Sequence, residues 1–514
     1  GALGVIQIDN GQVPKDLRSL FTPDRTFICH NAAGFYLLML ETAGILWRNT
    51  NWYDSLVGES VCVSTARRDV RKNLAASLNR RLGKEVNKSI EHGHWTEELS
   101  AAQIVYAAED VISLPALYRA QMEKAEETGQ MAAMELEQAI VPYSAQMTIN
   151  GLPCYPEKMF EYIEVQQKLV GELYSKMVET FGDINFNSHI QIKRAVRERY
   201  GMIWESTAKE VLTDLIYDDE KAGPFASLIL QYREPVTRLK TYNEEWIKKH
   251  IVHNKLHAKF WQCSTGTGRY SSSDPSLQVI PRDGRWFIGN KPGYKIVAAD
   301  YSQIEVRVAA YVAQDTALLQ ALEQEDIHRS IASLMYQVPY SEVTKEQRRH
   351  AKAAVFALLY CGGVNRLFAQ AREDGAPITH EEAGKIYSAF FGRFTGLRRM
   401  RQQAIQMASR DMNIIRMPST LRRILTGVEN RPAVILNNTV QGFAAAGMKQ
   451  AIRIAGSKGL MDYVGAQVHD ELVASVEDRH AEDFGVALKE AMLEGMGMYL
   501  PVPVKVEVKS GLTW

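Results

Sequence analysis

The sequence has no Cys-x-x-Cys pair, no excess of either charge, no internal repeat, no low-complexity tract and no apolar run able to cross a bilayer. Each absence removes a class of function. The five cysteines, Cys29, Cys62, Cys154, Cys263 and Cys361, are too scattered for a zinc ribbon or a disulfide framework and suit a reducing compartment. Sixty basic and sixty acidic residues cancel, so any phosphate-binding surface must come from local segregation of charge. Membrane insertion is not expected, and neither is a repeat architecture. The opening Gly1-Ala2-Leu3-Gly4 has no initiator Met, basic n-region or Arg/Ser-rich leader. No targeting peptide is expected, and the start reads as processed or truncated.

What is present is an ordinary globular composition, 46% hydrophobic and 23% charged over 514 residues, a length that exceeds one core and predicts several subdomains. An apolar strand-like segment, Leu3 to Ile8, followed by mixed helices and the helical Ala101 to Met122, predicts a small α/β domain. Long amphipathic helices follow, Glu157 to Phe181 and Pro224 to His250, preceded by the turn-rich Thr148-Ile149-Asn150-Gly151-Leu152-Pro153. Beyond Phe260 strands alternate with helices up to the apolar stretch Val502 to Val508, and the polar residues in unusual settings concentrate there.

Two carboxylate settings stand out. The apolar run Tyr294-Lys295-Ile296-Val297-Ala298-Ala299 delivers Asp300 to a strand-to-helix corner, just before the helix-like Ile304 to Ala313. Ala466-Gln467-Val468-His469-Asp470-Glu471-Leu472-Val473-Ala474 reads as a hairpin with acids at its tip. Asp is a common turn former, so either residue alone is also explained as a turn or a cap. Brought together, two such carboxylates suit two Mg²⁺ ions in phosphoryl transfer. Ser302-Gln303-Ile304-Glu305 has the pattern of a capping box, which gives Glu305 a structural reading beside any functional one.

Thr344-Lys345-Glu346-Gln347 predicts a second capping box. After it Arg348, Lys352, Phe356 and Tyr360 follow at four-residue steps until Cys361-Gly362-Gly363 stops the helix. Two cations and then two aromatics on one face suit a nucleotide, with charge for the triphosphate and rings for the base. A solvated basic turn beside a buried aromatic turn is the alternative.

Taken together these segments resemble the family A DNA polymerases, of bacterial DNA polymerase I type, in the family's order and near its spacing, and the match runs to Trp514. The resemblance implies a multi-domain α/β fold: a right-hand polymerase of palm, fingers and thumb, preceded by a ribonuclease-H-like exonuclease-type α/β domain. The implied boundaries are 1–122 for the degenerate or truncated exonuclease-like domain, 123–261 for the thumb and the start of the palm, 262–335 for palm, 336–430 for fingers and 431–514 for palm. Asp300-Tyr301-Ser302-Gln303-Ile304-Glu305-Val306-Arg307 resembles the first catalytic motif. Asp300 and the Tyr301 backbone carbonyl thereby become metal ligands, and Glu305 helps to exclude a ribose 2′-hydroxyl. His469-Asp470-Glu471 resembles the third motif, with Asp470 the second metal ligand, Glu471 assisting, and His469 beside the primer. Arg348, Lys352, Phe356 and Tyr360, with Gln303 and His328 of Asp326-Ile327-His328, are implied dNTP-binding residues, and Lys352 a catalytic one that protonates pyrophosphate. Arg269 and Gln278 lie in or just beyond Thr267-Gly268-Arg269-Tyr270-Ser271-Ser272-Ser273-Asp274-Pro275, and Asn437 and Gln441 flank Val440. These four, with Arg233, Arg238 and Lys240 of the thumb, are implied DNA contacts. The implied cofactor is two Mg²⁺ ions, with Mn²⁺ an acceptable substitute. Partners are primer-template DNA and dNTPs, with no membrane, for a monomer in the cytoplasm of a bacterium or phage-infected cell, or in an organelle.

Departures from the family pattern carry expectations too. Cys361 stands where the family usually has Gly, and Ser276 and Val279 replace Asn residues, so helix bending and template contacts are expected to differ. Tyr106-Ala107-Ala108-Glu109-Asp110 and His30-Asn31 resemble two exonuclease motifs, but the expected Asp after His30-Asn31 falls near Phe35, and the strand bearing the first motif's acids is missing. Proofreading is therefore expected to be inactive. Glu305 disfavours the related single-subunit RNA polymerases, and the joint presence of Asp300 and Asp470 disfavours a silent DNA-binding scaffold.

Overall fold

The apolar run that ends in Asp300 forms strand β1 (Tyr294–Tyr301), an inner strand of a four-stranded antiparallel sheet. The computed structural model describes residues 18–48, 50–64, 70–85, 100–290 and 292–514, except for the side chain of Tyr106. The expected strand at Leu3 to Ile8 lies outside the described residues. Strands β2 (Val464–Val468) and β3 (Glu471–Glu477) make the expected hairpin, and β4 (Val506–Gly511) closes the other edge in the order β2-β3-β1-β4. Register sets Glu471 of β3 and Glu507 of β4 on either side of Asp300. The last strand begins later than Val502 because Pro501 and Pro503 lack the N–H that a ladder needs. Helix Ala481–Gly497 packs against this sheet, and helix Pro432–Ser457 packs on that helix. They cross so closely that a Cβ on Gly495 would stand 2.3 Å from the Ala451 backbone nitrogen.

Helix α1 (Pro156–Phe181) shows why the preceding region projects. Met159 and Tyr162 at its start belong to the main core, whereas Leu173, Met177 and Phe181 near its end belong to a separate small core shared with Ile192, Leu212 and Ile229. The expected helix Pro224 to His250 is two helices, α2 (Gly223–Thr241) and α3 (Glu244–His250). The chain turns extended at Tyr242, and the Asn243 side chain accepts the Trp246 N–H at 3.0 Å, which starts the second helix afresh. The helical stretch Ala101 to Met122 likewise divides at Ser113, where Pro115 takes the first turn of the next helix.

At its far end the projecting body touches helix Val364–Glu373. Arg372 pairs with Asp218 and, at 3.4 Å, with Asp214, stacks 3.8 Å from the Phe368 ring, and its carbonyl accepts the Tyr217 hydroxyl at 2.7 Å. Residues 18–64 contain a parallel strand pair, Thr26–Cys29 beside Asn51–Asp54, and share a small core with Val141 and Ala145. Among the described residues no helix is long and apolar enough to cross a membrane.

Candidate functional site

Asp300 stands between two cavities, of about 410 and 420 Å³. Asp470, Glu305, Phe356 and Tyr360 line the first, and Glu471, Arg285 and Trp514 the second. The corner is local in origin: β1 ends at Tyr301, and helix α4 (Ile304–Val312) starts after Gln303, whose φ of 53° turns the chain sharply. The hairpin tip is equally local, since His469 at φ 54° reverses the chain and the Tyr301 N–H donates to the Asp470 carbonyl at 3.1 Å. Burial first, then the Glu471, Asp470 and Glu507 carboxylates, push the Asp300 carboxyl up from 3.8 to about 7. Burial also raises Asp470, against the opposing pull of Arg269.

A raised carboxyl favours the fold in its protonated form, so its contribution is fully present below the ordinary carboxylate range and is lost as pH climbs through about 7. Asp300→Asn is therefore expected to stabilise the metal-free protein at pH 8, by about 1–2 kcal/mol once solvent screening of the exposed carboxylate is allowed for. At pH 4 the gain should vanish. Thermal unfolding in chelator at both values checks this, and equal shifts would refute it.

The capping box expected at Ser302 does not form. Gln303 occupies the cap position without a side-chain bond, and the Glu305 carboxylate turns instead to tertiary partners. Arg269 donates from Nη2 to Glu305 Oε1 at 2.8 Å and to both oxygens of Asp470 at 3.1 Å. The Tyr360 hydroxyl donates to the other Glu305 oxygen, and burial, then Glu305, pushes that phenol up. One guanidinium thus ties the hairpin acid to the helix acid, and the tyrosine ties both to the turn that follows helix α5 (Lys345–Leu358).

Helix α5 starts with the expected Thr344–Gln347 capping box but ends before Tyr360, which sits in the turn beyond it. Cys361 follows in the left-handed region at φ 66°, a conformation that favours glycine, and a Cβ on Gly362 would lie 2.0 Å from the Ala357 carbonyl oxygen. The chain folds back tightly there. Phe356 is 55% exposed, unlike the half-buried Tyr360, so the aromatic turn is not buried as a whole. Lys352 Nζ lies 5.8 Å from its ring and forms no ion pair among the described residues. Arg348 is paired at 2.5 Å with Asp326, which also caps helix Ile327–Tyr336. His328 is buried near Phe356 with no partner for Nδ1, and burial, then Arg348, lowers it to about 4, so it is neutral at pH 7.

The remaining candidates divide. Gln278 Oε1 is held by Ser272, and its Nε2 is buried without a partner. Asn437 and Gln441 are half-buried, one turn apart on helix Pro432–Ser457. Arg233 donates to the Thr207 carbonyl and hydroxyl, and Arg238 bridges Glu234 and Asp283, both at 2.6 Å. Both are thus held within the protein, whereas Lys240 is exposed with no ion pair among the described residues. Sequence reasoning passed over Arg282, which lines both cavities, and Arg285 and Trp514, which grip Glu471. No periodicity marks these three. It also passed over Asp54, the buried acid beside His30 and Asn31, whose oxygens accept the backbone N–H groups of Asn31, Ala32 and Leu56 at 2.7 to 2.9 Å. Burial lowers His30, bonded to Ser55, to about 4. Asp110 lies on helix Ala101–Ile112, and the Tyr106 side chain is outside the described residues.

A family model described as DNA polymerase family A matches residues 157–514. DNA polymerase I of Pseudomonas aeruginosa is 30% identical over 505 residues, covering 90% of this chain and 53% of the relative. DNA polymerase I of Streptococcus pneumoniae is 29% identical over 466 residues, covering 84% and 51%. The thermostable DNA polymerase I of Thermus aquaticus is 33% identical over 358 residues, covering 64% and 42%. The chain spans about half the length of the curated relatives it matches. A solved structure, the POL domain of Pol1 from M. smegmatis in complex with DNA primer-template and dNTP, superposes with a TM-score of 0.82 at 23% identity, over 99% of this chain and 90% of that one. At that identity the likeness concerns the fold.

Proposed function

The chain belongs to DNA polymerase family A, and from that premise we propose that it carries out template-directed DNA synthesis. The primer 3′-hydroxyl attacks the α-phosphate of a dNTP, a new P–O bond forms, and the bond to the departing pyrophosphate breaks. The observation that carries this reading is the convergence of Asp300, Asp470, Arg269, Glu305 and Tyr360 on one cleft from a strand end, a hairpin, a loop, a helix and a turn.

The donor set fits divalent metal. Among the described residues no three His, Cys, Asp or Glu side chains form a cage, but Mg²⁺ prefers one or two carboxylates completed by phosphate oxygens and water. The elevation of Asp300 comes from burial first and then from neighbouring acids, and a cation would offset both. Asp300, Asp470 and the Tyr301 carbonyl would hold two Mg²⁺ ions, or Mn²⁺ in their place, which when bound supply activation of the hydroxyl and neutralisation of the leaving charge.

The chain's own residues do the rest. Lys352, free of any described acid, meets the triphosphate and gives a proton to the leaving pyrophosphate. Arg348 joins it on exchanging Asp326 for phosphate. Neutral His328 and the unpartnered Gln303 amide oxygen complete the nucleotide site. Exposed Phe356 packs on the nucleotide, Tyr360 stands near the templating position, and Glu305 closes the space a 2′-hydroxyl would need. Arg269, Gln278, Asn437, Gln441 and His469 take the primer-template, and Lys240 its backbone phosphates. We infer that proofreading is inactive. Asp54, the acid that the Asn31 N–H contacts, has its oxygens occupied by backbone N–H groups.

Extension of a labelled primer with Mg²⁺ and four dNTPs tests this, with rNTPs and a dNTP-free lane alongside. Extension with dNTPs alone and no shortening is expected. No extension would leave a DNA-binding scaffold, preferred use of rNTPs would point to an RNA polymerase, and shortening would overturn the inactive exonuclease. From Phe356, ddTTP should be incorporated less efficiently than dTTP, on the order of tenfold or more. Comparable incorporation would refute that assignment.

A further inference from the structure

Glu471 sits directly across the sheet from Asp300, where two like charges repel unless one is held or neutralised. Both of its oxygens are gripped. Arg285 donates from Nη1 to Oε2 at 3.2 Å, and the Trp514 indole N–H donates to Oε1 at 3.2 Å. The two donors also hold each other, with the guanidinium carbon 3.8 Å from the indole centroid. Each is anchored by its own backbone: Arg285 lies in the turn Arg282–Phe287, and the Trp514 N–H donates to the Ile288 carbonyl at 3.0 Å. All three side chains line the cavity on the far side of Asp300 from the nucleotide cleft, and Arg285 and Glu471 are mostly buried there.

We propose that Trp514 and Arg285 are positioning residues for the polymerase centre, acting through Glu471. Two charge-assisted or polar bonds on a stacked support select one rotamer of this carboxylate and turn its charge away from the face of Asp300 that meets the reactants. Released, Glu471 can swing toward Asp300 and crowd the place where the primer hydroxyl must arrive. The proposal rests on the reading of the cleft as a DNA polymerase site.

The test is a double-mutant cycle read by single-nucleotide addition, with DNA affinity and melting temperature measured on every variant. Trp514→Ala should lower kcat on the order of tenfold, the scale of a lost supporting bond. The KM for dNTP and the Kd for primer-template should stay within about twofold. In a Glu471→Gln background Trp514→Ala should cost nothing further, because the group it positions has lost its charge. Trp514→Phe, which keeps the stack on Arg285 and loses only the N–H, should fall between wild type and Trp514→Ala, and it keeps the test valid if the smaller side chain unfolds the segment. Unchanged kcat in Trp514→Ala, or losses that multiply in the double variant, would overturn the proposal. A wild type that extends no primer overturns the polymerase reading and the proposal with it.

Discussion

Asp300→Ala and Asp470→Ala should each lower primer extension by on the order of a thousandfold or more, while binding of primer-template stays within a few fold. The reason is geometric. Register puts Asp300 between Glu471 and Glu507, and the hairpin brings Asp470 onto the Tyr301 N–H, so the two aspartates meet where a strand end and a turn converge. Each supplies charge that the Glu471 and Glu305 carboxylates do not replace, because Glu471 is held by Arg285 and Trp514, and Glu305 by Arg269 and Tyr360. The double variant should be no worse than either single one, since groups that act as a unit fail as a unit. Pre-steady-state extension with saturating DNA is the measurement, and more than a tenth of wild-type activity in either variant would refute the assignment. Stability should move the other way for Asp300, whose removal relieves a carboxylate disfavoured by burial and then by neighbouring acids.

The largest effect on stability is expected from a pair that lines neither cavity. Lys449 and Glu137 form an ion pair whose side chains are 3% and 2% exposed. Gln262 donates to the Glu137 carbonyl at 2.8 Å and to its carboxylate at 3.1 Å, while Lys449 Nζ also reaches Cys263 Sγ at 3.5 Å and lies 6.0 Å from the Tyr270 ring. Burial acts to lower the Lys449 ammonium, but Cys263 and Glu137 more than offset it, and the net direction is up. Glu137→Ala strands that charge, with Arg423 also buried nearby, and should cost about 3–5 kcal/mol. The loss should appear as a fall of several degrees in thermal midpoint. Adding Lys449→Met should recover much of it, since an apolar chain of similar length leaves no charge unpaired. A Glu137→Ala protein that melts with the wild type would show that the pair contributes little.

These two networks differ in how far they were legible beforehand. Asp300 and Asp470 could be found because each ends a short apolar run at a turn, and both signals are local: strand propensity before, turn chemistry after. The capping box at Thr344 formed as its spacing predicts, while the identical pattern at Ser302 did not, because Glu305 gains more from Arg269 and Tyr360 than from a backbone N–H. Arg233 and Arg238, expected as DNA contacts, are bonded within the protein, Arg233 to Thr207, and Arg238 to Asp283 of another element as well as to Glu234 of its own helix, and no local pattern announces the two distant acceptors. Arg285 and Trp514 carried no signal at all.

Short-range sterics and hydrogen bonding thus settle where strands end, where helices start and which residues stand at those corners, which made the two aspartates and the basic-aromatic helix candidates, and the family resemblance joined them. Which charges face one another is another matter. Arg285 is 186 residues from Glu471, and Lys449 is 312 from Glu137. Their meeting depends on sheet register and on burial, which follow from packing the whole chain at once.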